Sequence, residues 1–168
     1  MIDRPMAPRM ALAVIGVLGA LNGLYLSLQR LFPGRTAPLK CSLVGDCAAV
    51  QASAYSQFPP GVGIPVAYLG LAGFAGLLLI SLLMIGRDRL GRLALPPLLL
   101  FAATLGLAFS AYLTAIEAFV LHEWCQWCVV SASLMLLFWG LALWDWTLWR
   151  RGDPAGDAEE LAEGGAAR

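Results

Sequence analysis

With 168 residues, 60% of them hydrophobic and only 13% charged, the chain carries about half the charge of an ordinary soluble domain. Its mean hydropathy is +0.74. Eleven basic residues balance eleven acidic ones, so the net charge is zero and nothing in it favours a nucleic acid.

The charges cluster at a few points and leave uncharged stretches over 11–29, 66–86, 93–116 and 126–144. A bilayer core of about 30 Å takes roughly 20 helical residues to cross. In hydrocarbon every backbone donor needs an internal partner, so these stretches are predicted to be helices. The expected fold is an all-α integral membrane four-helix bundle with a partly helical outer loop. Its membrane domain covers residues 1–150, with spans at about 10–31, 65–86, 93–121 and 126–149. Pro65 is placed as the first helical residue of the second span, where a missing N–H costs nothing. Pro96 and Pro97 stand at the entrance of the third. The first apolar run exceeds an ordinary signal-peptide core and lacks a small-x-small cleavage site, so it reads as a retained anchor. Residues 151–168, rich in Gly, Ala and acid, have too little apolar surface to fold and read as a disordered tail.

Arginine and lysine set the orientation. Arg4, Arg9, Arg87, Arg89, Arg92, Arg150 and Arg151 make seven on one side; Arg30, Arg35 and Lys40 make three on the other. Both termini and the tail are therefore expected in the cytoplasm, and the connections over 31–65 and around His122 outside. Trp144, Trp146 and Trp149 fit an inner aromatic belt, and Trp124 and Trp127 an outer one.

All four cysteines fall on the outer side. Cys41 and Cys47 lie in the long outer loop, and Cys125-Gln126-Trp127-Cys128 opens span four. Cysteines three apart in the first turn of a helix share a face and can close a disulfide. The positive helix N-terminus favours the thiolate that performs exchange. Asp46 is an N-cap candidate for a short helix beginning at Cys47, while Cys41 sits upstream in an accessible stretch. That contrast assigns Cys41 to partners and Cys47 to Cys125. A zinc site would need ligand spacings that this chain lacks, so no metal is expected. The remaining alternative for the cysteines is a pair of inert structural disulfides.

A cysteine pair after the first span, Ser53 six residues past Cys47, Gly63-Ile64-Pro65-Val66-Ala67-Tyr68-Leu69-Gly70 entering the second span, and the two cysteines opening the fourth together resemble the vitamin K epoxide reductase family, in its prokaryotic branch. The resemblance covers about residues 10 to 150. The DsbB family, also quinone-linked, has its cysteine pairs in the reverse order. What the resemblance implies is a catalytic set of Cys41, Cys47, Cys125 and Cys128. Cys41 and Cys47 would be the shuttle pair, and Cys125 and Cys128 the membrane-proximal pair. The cofactor implied is a quinone, ubiquinone or menaquinone, held near Ser53 and Cys128. Animal members carry a tyrosine four residues after the last cysteine, where this chain has Ala132; that favours an ordinary quinone over vitamin K epoxide. Some prokaryotic members carry a fused thioredoxin-like domain. The residues after Arg151 are too few for one, so the expected donor is a separate DsbA-like, thioredoxin-fold protein.

The implied activity is reoxidation of that partner in support of disulfide formation in exported proteins, at the inner (cell) membrane. Alternatives are a vitamin K quinone or epoxide reductase, and a structural membrane protein with static disulfides. A transporter finds no support, since no span shows paired charges at mid-membrane or a broken helix. Ser53 can alternatively bond its own backbone. Glu117, near the outer end of span three, is either functional or interfacial and hydrated, and the hydrated reading is the expectation. His122, three residues before Cys125, is expected to be interfacial without a task, although proton delivery to a quinone is open to it.

Overall fold

A computed structural model describes residues 6–32, 47–61, 63–91 and 93–152. In chain order these form α1 (Met6–Leu31), α2 (Cys47–Ala52), a 3-10 turn (Ala54–Ser56), the strands β1 (Gln57–Phe58) and β2 (Ile64–Pro65), α3 (Val66–Gly86), β3 (Arg89–Leu90), β4 (Leu93–Ala94), α4 (Leu95–Ile116), a π-helical turn (Glu117–Leu121) and α5 (Gln126–Gly152). Four helices are long and apolar enough to cross a membrane: α1, α3, α4 with its π turn, and α5. The all-α membrane bundle expected from the sequence is what forms. Cys41, Asp46 and the tail from 153 onward, for which the sequence carries expectations, lie outside the described residues.

Helix ends follow the sequence closely. Pro96 and Pro97 occupy the first turn of α4, where missing N–H groups leave no bond unmade. Pro65 instead caps α3, and the helix begins at Val66. The correction is one residue, because Pro65 pairs with Gln57 in the antiparallel β1–β2 ribbon that leads into the span. A second ribbon, Arg89–Leu90 on Leu93–Ala94, turns the chain between α3 and α4 through Gly91. Gly91 has φ +63°, a conformation that favours glycine.

The core joins all four spans through Leu12, Phe74, Leu77, Met84, Leu99, Ala103, Met135 and Phe138. Along α1, Gly16, Gly19 and Gly23 face Leu78, Phe74 and Leu71 of α3 and let the two helices approach closely, a device common where helices pack in lipid. Outward faces stay apolar, with Leu79, Phe101 and Leu137 exposed. Such faces would be a liability in water and are matched by hydrocarbon.

One charge is partnered in a way the sequence does not reveal. Arg9 reads in sequence as a cytoplasmic topology signal, yet it is 2% exposed. Its Nε donates to Asp145 Oδ1 at 3.1 Å, its Nη1 donates to the Met84 carbonyl at 2.7 Å, and Nη1 lies 2.6 Å from Asp88 Oδ1. The spans therefore do hold a buried charge pair, at the end of the bundle opposite the cysteines rather than at its middle. An ion removed from water needs such partners to be tolerated.

Candidate redox site and adjoining cavity

At the end of the bundle where α5 begins, α2 lies over its N-terminus. Cys47, Val50 and Cys125 form one buried cluster, joined by Leu121, Trp127 and Cys128. Cys47 is the first residue of α2, as the sequence predicts. It is disulfide-bonded, whereas Cys125 and Cys128 are free thiols. Cys47 and Cys125 are each about 1% exposed or less.

Cys125 stands just before α5 rather than inside its first turn. Its carbonyl accepts the N–H groups of Cys128 and Val129, both at 3.0 Å, so it occupies the cap position. Cys128 follows one turn later and is half-buried. Hydrogen bonding from the Cys128 thiol holds the Cys125 thiol below its ordinary pKa, against the opposing effects of burial and of the Glu117 carboxylate. In the reduced pair, Cys125 is the thiol prepared to ionise.

Beside this cluster lies a cavity of about 190 Å³, walled by all four spans and roofed by α2 and the turn after it. Its walls are mainly apolar, including Leu26, Phe74, Phe109 and Leu113; Cys128, Ser53, Arg30 and Glu117 supply polar groups. Cys128 faces the cavity, while Cys125 is not among its lining residues. The cysteines at positions 47, 125 and 128 thus run in series from the outer helix to the cavity. Sequence reasoning placed Cys128 and Ser53 together, and both do line this space. The Ser53 hydroxyl donates to the Val50 carbonyl at 2.7 Å. The backbone-bonding alternative therefore holds too, and the two descriptions are compatible.

Glu117 departs from its expectation. It is not hydrated at the interface but 5% exposed, because the π turn that starts there carries it inward. Its Oε2 accepts the Cys125 backbone N–H at 3.1 Å, and the Cys128 thiol is within hydrogen-bonding reach. His122 is exposed and ends the π turn in a left-handed conformation, φ 55°; it does not line the cavity.

Two positioning residues escaped the sequence reading. Arg30, the basic residue in the last turn of α1, donates to the Gln51 carbonyl at 3.0 Å and to Ser56 Oγ at 2.6 Å. It thereby fastens α2 and its following turn over the cavity. In sequence it is one of several outer-side charges, with nothing to set it apart. Asn22 donates to the Trp127 carbonyl at 3.2 Å and to Ser131 Oγ at 2.6 Å, tying α1 to the first turns of α5. Its signal was available: a carboxamide in an otherwise apolar span must find partners. Trp127 packs on Tyr25 with ring centroids 4.8 Å apart, so it serves the site more than an aromatic belt.

Compared with protein families, the chain matches the model of the vitamin K epoxide reductase family over residues 10–143. The matched region takes in α2, the cavity and both cysteines of the 125–128 pair.

Proposed function

The chain belongs to the vitamin K epoxide reductase family and is a membrane oxidoreductase; we propose that it passes electrons from a thioredoxin-fold partner through two cysteine pairs to a quinone. The observation that carries this reading is the serial placement of Cys47 against Cys125 and of Cys128 on the cavity wall. A thiolate of the reduced partner attacks Cys41 and frees Cys47 as a thiolate. The partner's second thiolate closes the partner's own disulfide and frees Cys41. Cys47 attacks Cys125, forming a Cys47–Cys125 disulfide and releasing Cys128 toward the cavity. Cys41 then attacks Cys47, re-forming the outer disulfide and releasing Cys125. Closure of the inner pair returns two electrons and two protons to the acceptor. For a two-electron couple about 30 mV downhill is worth about 1.4 kcal/mol, so a quinone kept oxidised by respiration can drive even a strongly oxidising partner.

The cavity suits a quinone ring: apolar walls take its faces, and Ser53 and Cys128 are the polar groups that would hold its edge. Its chemistry there is acceptance of an electron pair. The Ser53 proton points to Val50 in the structure, and rotation of the hydroxyl would turn it to a quinone oxygen. Ala132 lines the same wall and offers no phenol, which favours ubiquinone or menaquinone over vitamin K epoxide.

With Arg9 internally paired, six basic residues still oppose three. The proposed orientation keeps both termini in the cytoplasm and the cysteines on the outer face of the cell membrane, where disulfide formation in exported proteins occurs. The test is quinone reduction by purified protein with a reduced DsbA-like donor, using ubiquinone and menaquinone in parallel. Turnover with either is expected. Disulfides that neither dithiothreitol nor the donor can engage, with no quinone reduced, would leave a structural protein.

A further inference from the structure

Glu117 stands where α4 gives way to the π turn, a break that recurs at functional sites in helices. The turn carries a carboxyl group into a buried position, and among the described residues no cation forms an ion pair with it. A carboxyl in a membrane span is costly and calls for a reason. The bond from the Cys125 N–H at 3.1 Å is not sufficient reason, since an uncharged glutamine would accept it equally well. What glutamine cannot do is carry a proton. Glu117 lies within reach of the Cys128 thiol and shares the cavity wall with it, so one group touches both the thiol that must lose a proton and the space where a proton is needed.

We infer that Glu117 is the proton carrier of the inner cysteine pair, taking the thiol proton of Cys128 and delivering it to the acceptor oxygen in the cavity. The inference rests on the quinone reading above. In oxidation of the pair, two S–H bonds break and one S–S bond forms, while the acceptor gains two electrons and two protons. The proton from Cys128 passes through Glu117, whose carboxylate is restored at the end. The proton from Cys125 is released to water, and the second acceptor oxygen takes one from water. The titratable groups facing Glu117 are Cys125 and Cys128, and Arg30 of α1 is the charged group on the shared cavity wall. The wall contributed by α3 offers no titratable side chain to the cavity.

The test uses full-length protein with Glu117→Gln, which preserves the acceptor for Cys125, and Glu117→Asp, which preserves the proton. With the inner pair reduced beforehand, oxidation by ubiquinone or menaquinone should slow about 100-fold or more in Glu117→Gln, the usual reach of general acid–base catalysis. Reduction of the same pair by dithiothreitol should stay near wild type, and Glu117→Asp should recover part of the loss. A second readout needs no quinone. The infrared difference spectrum between oxidised and dithiothreitol-reduced wild-type protein should contain a shift of a carboxylate stretch, because oxidation removes the Cys128 thiol beside Glu117, and this shift should vanish in Glu117→Gln. Oxidation at the wild-type rate in Glu117→Gln, or a wild-type spectrum without any carboxylate shift, overturns the assignment. The wild-type spectrum decides even where a variant does not fold. If wild-type protein reduces no quinone, the function proposed above falls as well. Wild-type turnover with an indifferent Glu117→Gln removes this inference alone.

Discussion

Arg9 and Asp145 are 136 residues apart in sequence, yet Arg9 Nε donates to Asp145 Oδ1 at 3.1 Å in the buried end of the bundle. The bond joins the first turns of α1 to the last turns of α5, and the Arg9 bond to the Met84 carbonyl adds the end of α3. Breaking a buried pair costs about 3–5 kcal/mol, and without Asp145 the ion pair of Arg9 with Asp88 offsets part of that. Asp145→Ala is therefore expected to lower the thermal midpoint in detergent markedly. Joint replacement of Arg9 by Met and Asp145 by Leu should restore part of the loss, because the charge then deprived of the Arg9 ion pair is that of Asp88, which reaches solvent at 26% exposure. A double variant no more stable than Asp145→Ala would show that the pair is worth more than apolar packing at that place.

Glycines in α1 and α3 should respond in opposite ways. A Cβ on Gly23 would come 2.9 Å from the Leu71 Cα, and backbone cannot swing aside as a side chain does. Gly23→Ala should separate α1 from α3 and destabilise by about 1–3 kcal/mol, the range for overpacking. Gly76 has open space around its Cβ position, so Gly76→Ala should be neutral or stabilise by up to about 1 kcal/mol through helix propensity. Thermal unfolding of the two variants beside wild type checks the contrast. Equal effects would deny the close approach of α1 and α3.

The spans were legible because hydrocarbon imposes one rule along 20 residues at a time, and an uncharged run obeys it visibly. Prolines at the start of α4 were legible for a similar reason, since their effect on a helix is local, and Cys47 does open α2. Arg9, Arg30 and Glu117 were not. Each is defined by a partner distant in sequence or on another element, and a charge near a span end looks the same whether it meets water or a buried acid. The pairing of Cys47 with Cys125 was anticipated through chemistry. The cavity beside Cys128 could be expected from the resemblance, whereas its roof, fastened by Arg30 to Gln51 and Ser56, could not.

That roof bears on exchange with the partner. Cys47 is 1% exposed and packed with Cys125, so a folded partner protein has no path to its sulfur. Attack must then fall on the other half of the outer pair, which the sequence assigns to Cys41. In Cys47→Ala the lone Cys41 thiolate can still attack the disulfide of an oxidised partner, forming one mixed disulfide and releasing one partner thiol. No second outer thiol on this chain then completes the exchange. A covalent adduct between this variant and a DsbA-like partner should accumulate on non-reducing gels and disappear with dithiothreitol. If Cys41→Ala accumulates the adduct instead, the two roles are exchanged.

The pH dependence of the inner pair follows from Cys125. Its pKa lies below that of an ordinary thiol, chiefly because the Cys128 thiol hydrogen-bonds to it, and a donated hydrogen bond stabilises the charged form. A depressed pKa means that the thiolate appears at lower pH and is fully present once the pH exceeds the ordinary thiol range. In Cys128→Ala the donor is gone, while burial and the Glu117 carboxylate still oppose ionisation. The Cys125 pKa must then rise, so less thiolate is present at neutral pH. In reduced, quinone-free protein, the rate of methanethiosulfonate modification at Cys125, followed by mass spectrometry against pH, should therefore have its midpoint displaced upward in Cys128→Ala. The limiting rate at high pH should not fall, because the smaller side chain leaves Cys125 no less accessible. A midpoint that stays put, or moves down, would mean that the helix N-terminus rather than Cys128 holds the Cys125 thiolate. Cys125 would then still be the thiol that ionises, but the two cysteines would not be electrostatically linked in the way their hydrogen bond implies.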